Sequence, residues 1–387
     1  MTLGALSLDF FRVVIETLGM PAHKRFCAFS LLIFSAACSE AGGPGVPPDH
    51  VDVIAAGDQH TCALQRGVVT YCWGRNAGGE VGDSTTTPRL RPVRVHSDIQ
   101  FDTILAGYGS ACGLTAAHAA YCWGSNGSGK LGDSSFTDHS TPVAVRGGFS
   151  FSQLNLAFEY SCALTTSHVA YCWGDNNLGQ LGDSTRNPSL APVRVVGGLT
   201  FDNLRASNFH ACGIATTGGA AYCWGNNNLG ALGDGTLVEK LAPNPVSGGH
   251  TFLAIATGAF HTCAIAIDAT TYCWGDNQFG ELGDGTTTQH LIPTRVVGVP
   301  AFVGIYAAGP STCGLTALGF IWCWGSHFSA TPTPITQPAT FASISAGYEH
   351  FCGVTRNHAA YCWGVNTYGE LGDGTTTFSA VPVRVVF

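Results

Sequence analysis

Tyr71-Cys72-Trp73-Gly74 decides how this chain is read, because the same four letters return at 121–124, 171–174, 222–225, 272–275 and 361–364. A seventh copy, at 322–325, has Trp322 in place of the tyrosine. The tryptophans at the heart of the copies are Trp73, Trp123, Trp173, Trp224, Trp274, Trp324 and Trp363, spaced 50, 50, 51, 50, 50 and 39 residues apart. A fixed period of about 50 residues marks a repeat architecture, in which each unit buries its apolar face against its neighbours.

Outward from the tetrapeptide, the consensus unit begins with Phe-x-x-Ile-x-Ala-Gly-x-x-His-x-Cys-Ala-Leu and, about six residues on, reaches Ala-Tyr-Cys-Trp-Gly-x-Asn. A loop of the form Gly-x-Leu-Gly-Asp-Gly-Thr and a Pro-Val-Arg-Val run complete it. Each unit contains four short β-like runs, in the first unit at 51–56, 61–64, 69–73 and 92–95, broken by Gly, Asn, Asp and Pro. Four strands of about five residues suit one blade of a propeller. The sixth unit lacks the Gly-x-Leu-Gly-Asp-Gly-Thr loop, so one sector of one face should be cut away.

Fourteen of the 16 cysteines fall into one pair per unit. The expected partners are Cys62 with Cys72, Cys112 with Cys122, Cys162 with Cys172, Cys212 with Cys223, Cys263 with Cys273, Cys313 with Cys323, and Cys352 with Cys362. Cys62 and Cys72 are symmetric about Gly67, and a tight hairpin there sets them opposite each other at disulfide distance. The fourth unit has one residue more between its cysteines, taken up by Gly218 and Gly219 in its turn. Tyr71 and Trp73 then point the other way, so each blade should offer a disulfide to one neighbour and an aromatic pair to the other. Regular pairs of this kind indicate an oxidising compartment.

The two remaining cysteines, Cys27 and Cys38, lie in the N-terminal segment. Residues 1–19 read as an extension upstream of a start at Met20, although translation from Met1 is left open. Residues 20–38 read as a secretory signal: a basic His23-Lys24-Arg25, an apolar run at 26–34, then the small residues Ser35, Ala36 and Ala37. That ending resembles a lipobox with Cys38 as the lipidated residue, but with Ser35 in place of the usual leucine. The other reading is plain cleavage after Ala37. Residues 39–50 form a Gly/Pro-rich tether, and 51–387 hold the repeats. The expected location is therefore outside the cytoplasm, secreted or held to the envelope through a lipid only.

The run from His261 to Thr286 shows the unit whole, and it resembles the regulator of chromosome condensation repeat. The resemblance implies an all-β, seven-bladed β-propeller with four-stranded antiparallel blades. Its functional implications are divided among nucleotide exchange on a small GTPase with chromatin docking, light sensing, and inhibition of a secreted enzyme. No tryptophan cluster surplus to the repeats supports light sensing, and a signal peptide with disulfides argues against a cytosolic GTPase. From Val51 onward there are 21 acidic and 14 basic side chains, a net of −7 without a basic stripe, which excludes a phosphate-tracking groove.

The repeated polar residues read as architecture. His60, His210, His261 and His350 stand two before a cysteine, but Ser110, Tyr160 and Ser311 replace them in other units, which a zinc set would not tolerate. A local hydrogen bond at a strand start is the expectation instead. The loops at Asp234–Thr236, Asp284–Thr286 and Asp373–Thr375 lack the acidic ladder of a calcium site. Asn76, Asn126, Asn176, Asn227, Asn277 and Asn366 read as turn caps. No nucleophile stands in a unique context beside a base, so no enzyme, cofactor or metal is expected. The variable connection between the first two strands presents Tyr108, Phe158, Phe209, Phe260 and Tyr348. These rings either form a partner-binding arc on one rim or fold inward as a plug. The expected protein is a monomeric binding scaffold for a protein or glycan, with exchange-factor or chromatin binding as the family-based alternative.

Ring closure is expected from link lengths. Seventeen residues separate Gly74 from Pro92, and only about five separate Val95 from Phe101. Short links join hairpin neighbours, so the Pro-Val-Arg-Val run should open the following blade. The last such run, 381–386, would then pair with the strand at 51–56, the N- and C-terminal strands sharing one blade.

Overall fold

The computed structural model describes residues 49–387, and within them the chain is a seven-bladed β-propeller of four-stranded antiparallel blades. Cys27, Cys38 and the signal and extension read at 1–38 lie outside the described residues, as does most of the tether. The first blade consists of β1 (Val53–Ala56), β2 (His60–Gln65), β3 (Val69–Gly74) and β4 (Arg89–Arg94), in that spatial order. The other six blades repeat the order.

The first strands line the central channel, where small residues are joined by Gln153, Arg205 and Tyr306. The second and third strands form the hairpin that carries the cysteines. Gly67 makes its turn with φ of +67°, a conformation that penalises any side chain with a Cβ. Cys62 faces Cys72 in register and is bonded to it. In the same way Cys112 is bonded to Cys122, Cys162 to Cys172, and Cys212 to Cys223 across the longer turn. Cys263 is bonded to Cys273, Cys313 to Cys323, and Cys352 to Cys362. All seven bridges stay within their own blades, with Cα atoms 4.0–4.1 Å apart, as the spacing implies.

The core is divided among the blade junctions. Cys62, Leu64 and Cys72 of blade one pack with Phe101, Ile104 and Trp123 of blade two. Cys112 and Cys122 meet Phe151 and Trp173, and Cys162 and Cys172 meet Phe201 and Trp224. Cys212 and Cys223 meet Phe252 and Trp274, Cys263 and Cys273 meet Phe302 and Trp324, and Cys313 and Cys323 meet Phe341 and Trp363. Every blade thus shows its disulfide to the next blade and its tryptophan to the previous one, as the alternation around each cysteine requires. The seven tryptophans are 0–1% exposed, so flat sheets pack over the whole ring without a central apolar core.

The structure corrects the expected closure. Pro-Val-Arg-Val is the outermost strand of its own blade: Cys72 pairs with Val93, and Cys362 with Val383. No strand is exchanged between the ends of the described chain. The long link leaves and re-enters the same blade, while residues 95–102 cross from β4 to the innermost strand of blade two, which begins at Thr103. Three strand spacings are about 15 Å, and eight residues reach about 26 Å, so the short link is long enough. Blade seven closes on blade one through side chains. Val51, Ile54 and Trp73 pack with Cys352, Cys362 and Val385, and the Val51 amide donates to the His358 carbonyl at 2.9 Å. Phe387 sits edge-on to Tyr71, ring centroids 5.2 Å apart. The end of the expected tether also takes part, with Asp49 accepting from Arg384 at 2.6 Å.

Blade six is truncated as its sequence implies, with a fourth strand of only two residues, Thr333–Pro334.

Candidate functional site

The connections between first and second strands all emerge on one face, together with the long loops that follow each Trp-Gly. Four of the five rim aromatics form a continuous row there. Tyr108 meets Phe158 edge-on at 4.2 Å, Phe158 meets Phe209 at 6.1 Å, and Phe209 stacks on Phe260 at 5.1 Å. All are half-buried, so each ring is held by its neighbours yet keeps an open edge. Tyr348, also half-buried, is set apart from the row by Asp58 of blade one and Pro310 of blade six.

The row is held from below by Lys130, 3% exposed, whose Nζ donates to the carbonyls of Tyr108 (2.7 Å) and Phe158 (2.8 Å). Burial lowers the Lys130 pKa, opposed by Glu159, whose carboxylate lies 3.8 Å away. Across the mouth the charge is acidic. Burial, then the neighbouring Glu349, pushes the Asp58 carboxyl up to about 6. Burial raises Glu281 and Glu370 to about 7, although each carboxylate accepts a backbone N–H two residues before it, at 2.8 Å. The mouth is a recess of about 480 Å³, open solvent included, lined by Gly57, Asp58, Gly107, Tyr108, Asn208 and Tyr348 among others.

The loop residues are occupied internally. Asn227 Nδ2 donates to Asp234 Oδ1 (3.1 Å) and to the carbonyls of Thr236 and Val238, while its Oδ1 accepts from the Leu232 amide (3.0 Å). The same pattern holds at Asn76, Asn176, Asn277 and Asn366, and at Asn126 with Asp138 accepting in addition from its amide. Asp284 accepts from the amide and hydroxyl of Thr286, both 2.9 Å, and lies 2.8 Å from His290 Nε2. Asp234 and Asp373 have equivalent donors. A calcium ion would have to displace these donors, so the loops are built as turns.

The histidines do more than expected: His210 Nδ1 makes a local contact with Ser207 Oγ at 3.1 Å, but the recurring bonds cross the blade junctions. His210 Nε2 lies 2.8 Å from Thr262 Oγ1 of the next blade, His261 2.8 Å from Thr312, and His350 2.8 Å from Thr61 across the closing junction. Each threonine hydroxyl donates onward to a loop carbonyl, of Ala231, Glu281 and Glu370, so the imidazole must be the donor to the threonine. Burial depresses His60, His210 and His261 to about 3 and His350 to about 4.

One cluster escaped sequence reasoning. His50, Asp52 and His358 bring three donor atoms within 4.8 Å of one another on the opposite face. His358 occupies a left-handed turn position, as do His118 and His168. In those two turns the ring contacts the Phe151 and Phe201 carbonyls, as His358 contacts that of Val51. The repeated turn therefore accounts for His358.

Two models described as the regulator of chromosome condensation (RCC1) repeat match the chain, one at 218–265 and 268–315, the other at 252–281 and 341–370. The chain carries regulator of chromosome condensation repeats. No curated protein matches it significantly. Among solved structures, this repeat protein is similar to human WBSCR16, at TM-score 0.74 and 21% identity over 82% of this chain and 93% of that one. It is also similar to Prp20p from Saccharomyces cerevisiae, at TM-score 0.73 and 22% identity over 87% of each chain. Prp20p is described with its binding properties to Gsp1p and histones. The ectodomain of the receptor kinase CR4 from Physcomitrella patens follows at TM-score 0.57 and 21% identity, over 81% of this chain and 73% of that one. At these identities the likeness shows the fold alone.

Proposed function

We propose that this repeat propeller is a non-enzymatic binding scaffold working outside the cytoplasm, which recognises a protein or glycan partner through the face bearing the aromatic row. The row carries the reading: Tyr108, Phe158, Phe209 and Phe260 keep open edges side by side beside the acidic groups Asp58, Glu159 and Glu349. Rigid rings on a fixed frame lose little entropy on binding, which is why aromatic residues dominate interface hot spots. Seven disulfides support the oxidising location. Nucleotide exchange or chromatin binding has only the shared fold with Prp20p behind it, and fold does not carry function.

A photo-reactive residue placed at Asn208, beside the row, tests the reading against one at Ser167, in the exposed turn of the opposite face. In intact cells the Asn208 probe should give a discrete cross-linked product and the Ser167 probe none. Equal products from both positions, or recovery of the protein reduced and in the cytosol, would overturn the proposal.

A further inference from the structure

Six of the seven blade junctions are sealed on the aromatic face by the same piece of chain. The indole N–H of Trp73 donates to the Glu370 carbonyl, Trp123 to Glu80, Trp173 to Lys130, Trp224 to Gln180, Trp274 to Ala231 and Trp324 to Glu281, at 2.8–3.0 Å. The residue after each acceptor is an aliphatic with no exposed surface: Leu371, Val81, Leu131, Leu181, Leu232 or Leu282. A glycine follows, and at Gly283 a Cβ would lie 2.8 Å from the Trp324 nitrogen. An x-Leu-Gly segment with its carbonyl on an indole and its leucine driven between blades is thus the standard seal.

The seventh junction has no such segment, because blade six runs from Gly325 through Ser326-His327-Phe328 to its two-residue last strand. Trp363 is still there, 1% exposed, and its Nε1 has no partner among the described residues. Phe351 stands at the position of Thr61, Thr262 and Thr312. It lies flat against Trp363, centroids 5.7 Å apart and planes 14° apart, with Phe328 edge-on to it at 6.5 Å. A recess of about 560 Å³, open mouth included, remains in the place of the absent loop, lined by Phe328, Phe351, Trp363 and Phe378, with His327 and Glu349 beside them. Leaving a buried N–H unpaired is unfavourable, and six copies of its complement are present in the same chain.

We infer that this recess is a receptor for an extended segment of a partner polypeptide that carries a leucine followed by glycine. The leucine enters against Phe328 and Phe351, and the preceding carbonyl accepts from Trp363 Nε1. The partner completes the seventh junction in the way the chain's own loops complete the other six. Of the rim aromatics only Tyr348 borders this recess, so the inference stands apart from the reading of the Tyr108–Phe260 row.

The probe is the capped peptide Tyr-Gly-Glu-Leu-Gly-Asp-Gly-Thr, the chain's own residues 368–375, titrated into the full protein labelled with ¹⁵N at tryptophan. The indole resonance of Trp363 is assigned with Trp363→Phe. The expected result is a saturable shift of that one resonance, with half-saturation below about 1 mM, the weak end of specific affinities. Changing the peptide's leucine to aspartate, or filling the recess with Ser326→Trp, should weaken binding at least tenfold, with melting of Ser326→Trp close to wild type. The double variant Phe158→Ala with Phe209→Ala, in the aromatic row, should leave it unchanged. No shift at millimolar peptide, a shift confined to other indoles, or undiminished binding by a well-folded Ser326→Trp would each overturn the inference.

Discussion

A histidine two residues before a cysteine is here one half of a pair whose other half lies about 50 residues away. Where the first position is His210, His261 or His350, the next blade offers a threonine; where it is Tyr160, whose hydroxyl donates to the His210 carbonyl at 2.7 Å, the next blade offers Ala211. Ser311 faces Phe351. Bulk on one side is balanced by space on the other, as close packing demands. His60 is the exception, since Ala111 stands opposite and His60 Nε2 has no partner among the described residues. Ala111→Thr should therefore stabilise the ring by about 1 kcal/mol, read as a higher denaturation midpoint, and no gain would contradict the pairing. The pH dependence follows from the same burial. These imidazoles titrate at about 3 to 4 folded and near 6.5 unfolded. Unfolded chains thus bind the extra protons, and the histidine contribution is complete above about 6.5 and lost as pH falls toward 4. Asp58, Glu281 and Glu370, raised to about 6, 7 and 7, act oppositely, favouring the folded state at low pH and losing that effect as pH rises through 7. A difference experiment removes this offset: His261→Gln should lose less stability than wild type between pH 7 and pH 5, by about 2 kcal/mol. Parallel pH profiles would show that His261 is not held neutral.

At the level of strands and loops, the blade hairpin was legible and its connection to the next blade was not. Cys62 and Cys72 lie symmetric about a glycine, and that local symmetry is sufficient to place them. Link length misled because it counts residues without saying where the chain is packed. The long loop is long because Val81 must reach the Trp123 junction and the chain return to Gly74, which pairs with Arg89. The histidine–threonine pairing was hidden for a related reason: it joins equivalent positions of successive units, and becomes visible only once disulfide faces tryptophan across a junction. Trp363 could be foreseen in part, from the loop missing after Gly325. With the phasing corrected, deletion of residues 381–387 removes all but the first two residues of the strand Ser379–Arg384, the buried Val385, and Phe387 from its seat on Tyr71 and Trp73. Amide exchange should quicken in blade seven and in 51–74 of blade one, leaving blades three and four protected. Uniform loss of protection, or none, would contradict a closure made of side chains.

Over the whole molecule, stability is a sum over seven junctions, each joining one blade's disulfide to the next blade's tryptophan. The hairpin loops closed by these disulfides are short, and each bond contributes on the order of 2–3 kcal/mol. A ring of thin sheets, with only small residues about most of its channel, depends on those staples, and so does the placement outside the cytoplasm proposed for it. Mass mapping of the non-reduced protein, taken from the cells that make it and alkylated at once, tests both together. The expected result is seven intra-blade links, from Cys62 with Cys72 through to Cys352 with Cys362, and no alkylated cysteine in residues 49–387. Free thiols at these positions, or links between blades, would contradict the stapled junctions and the exported scaffold built on them.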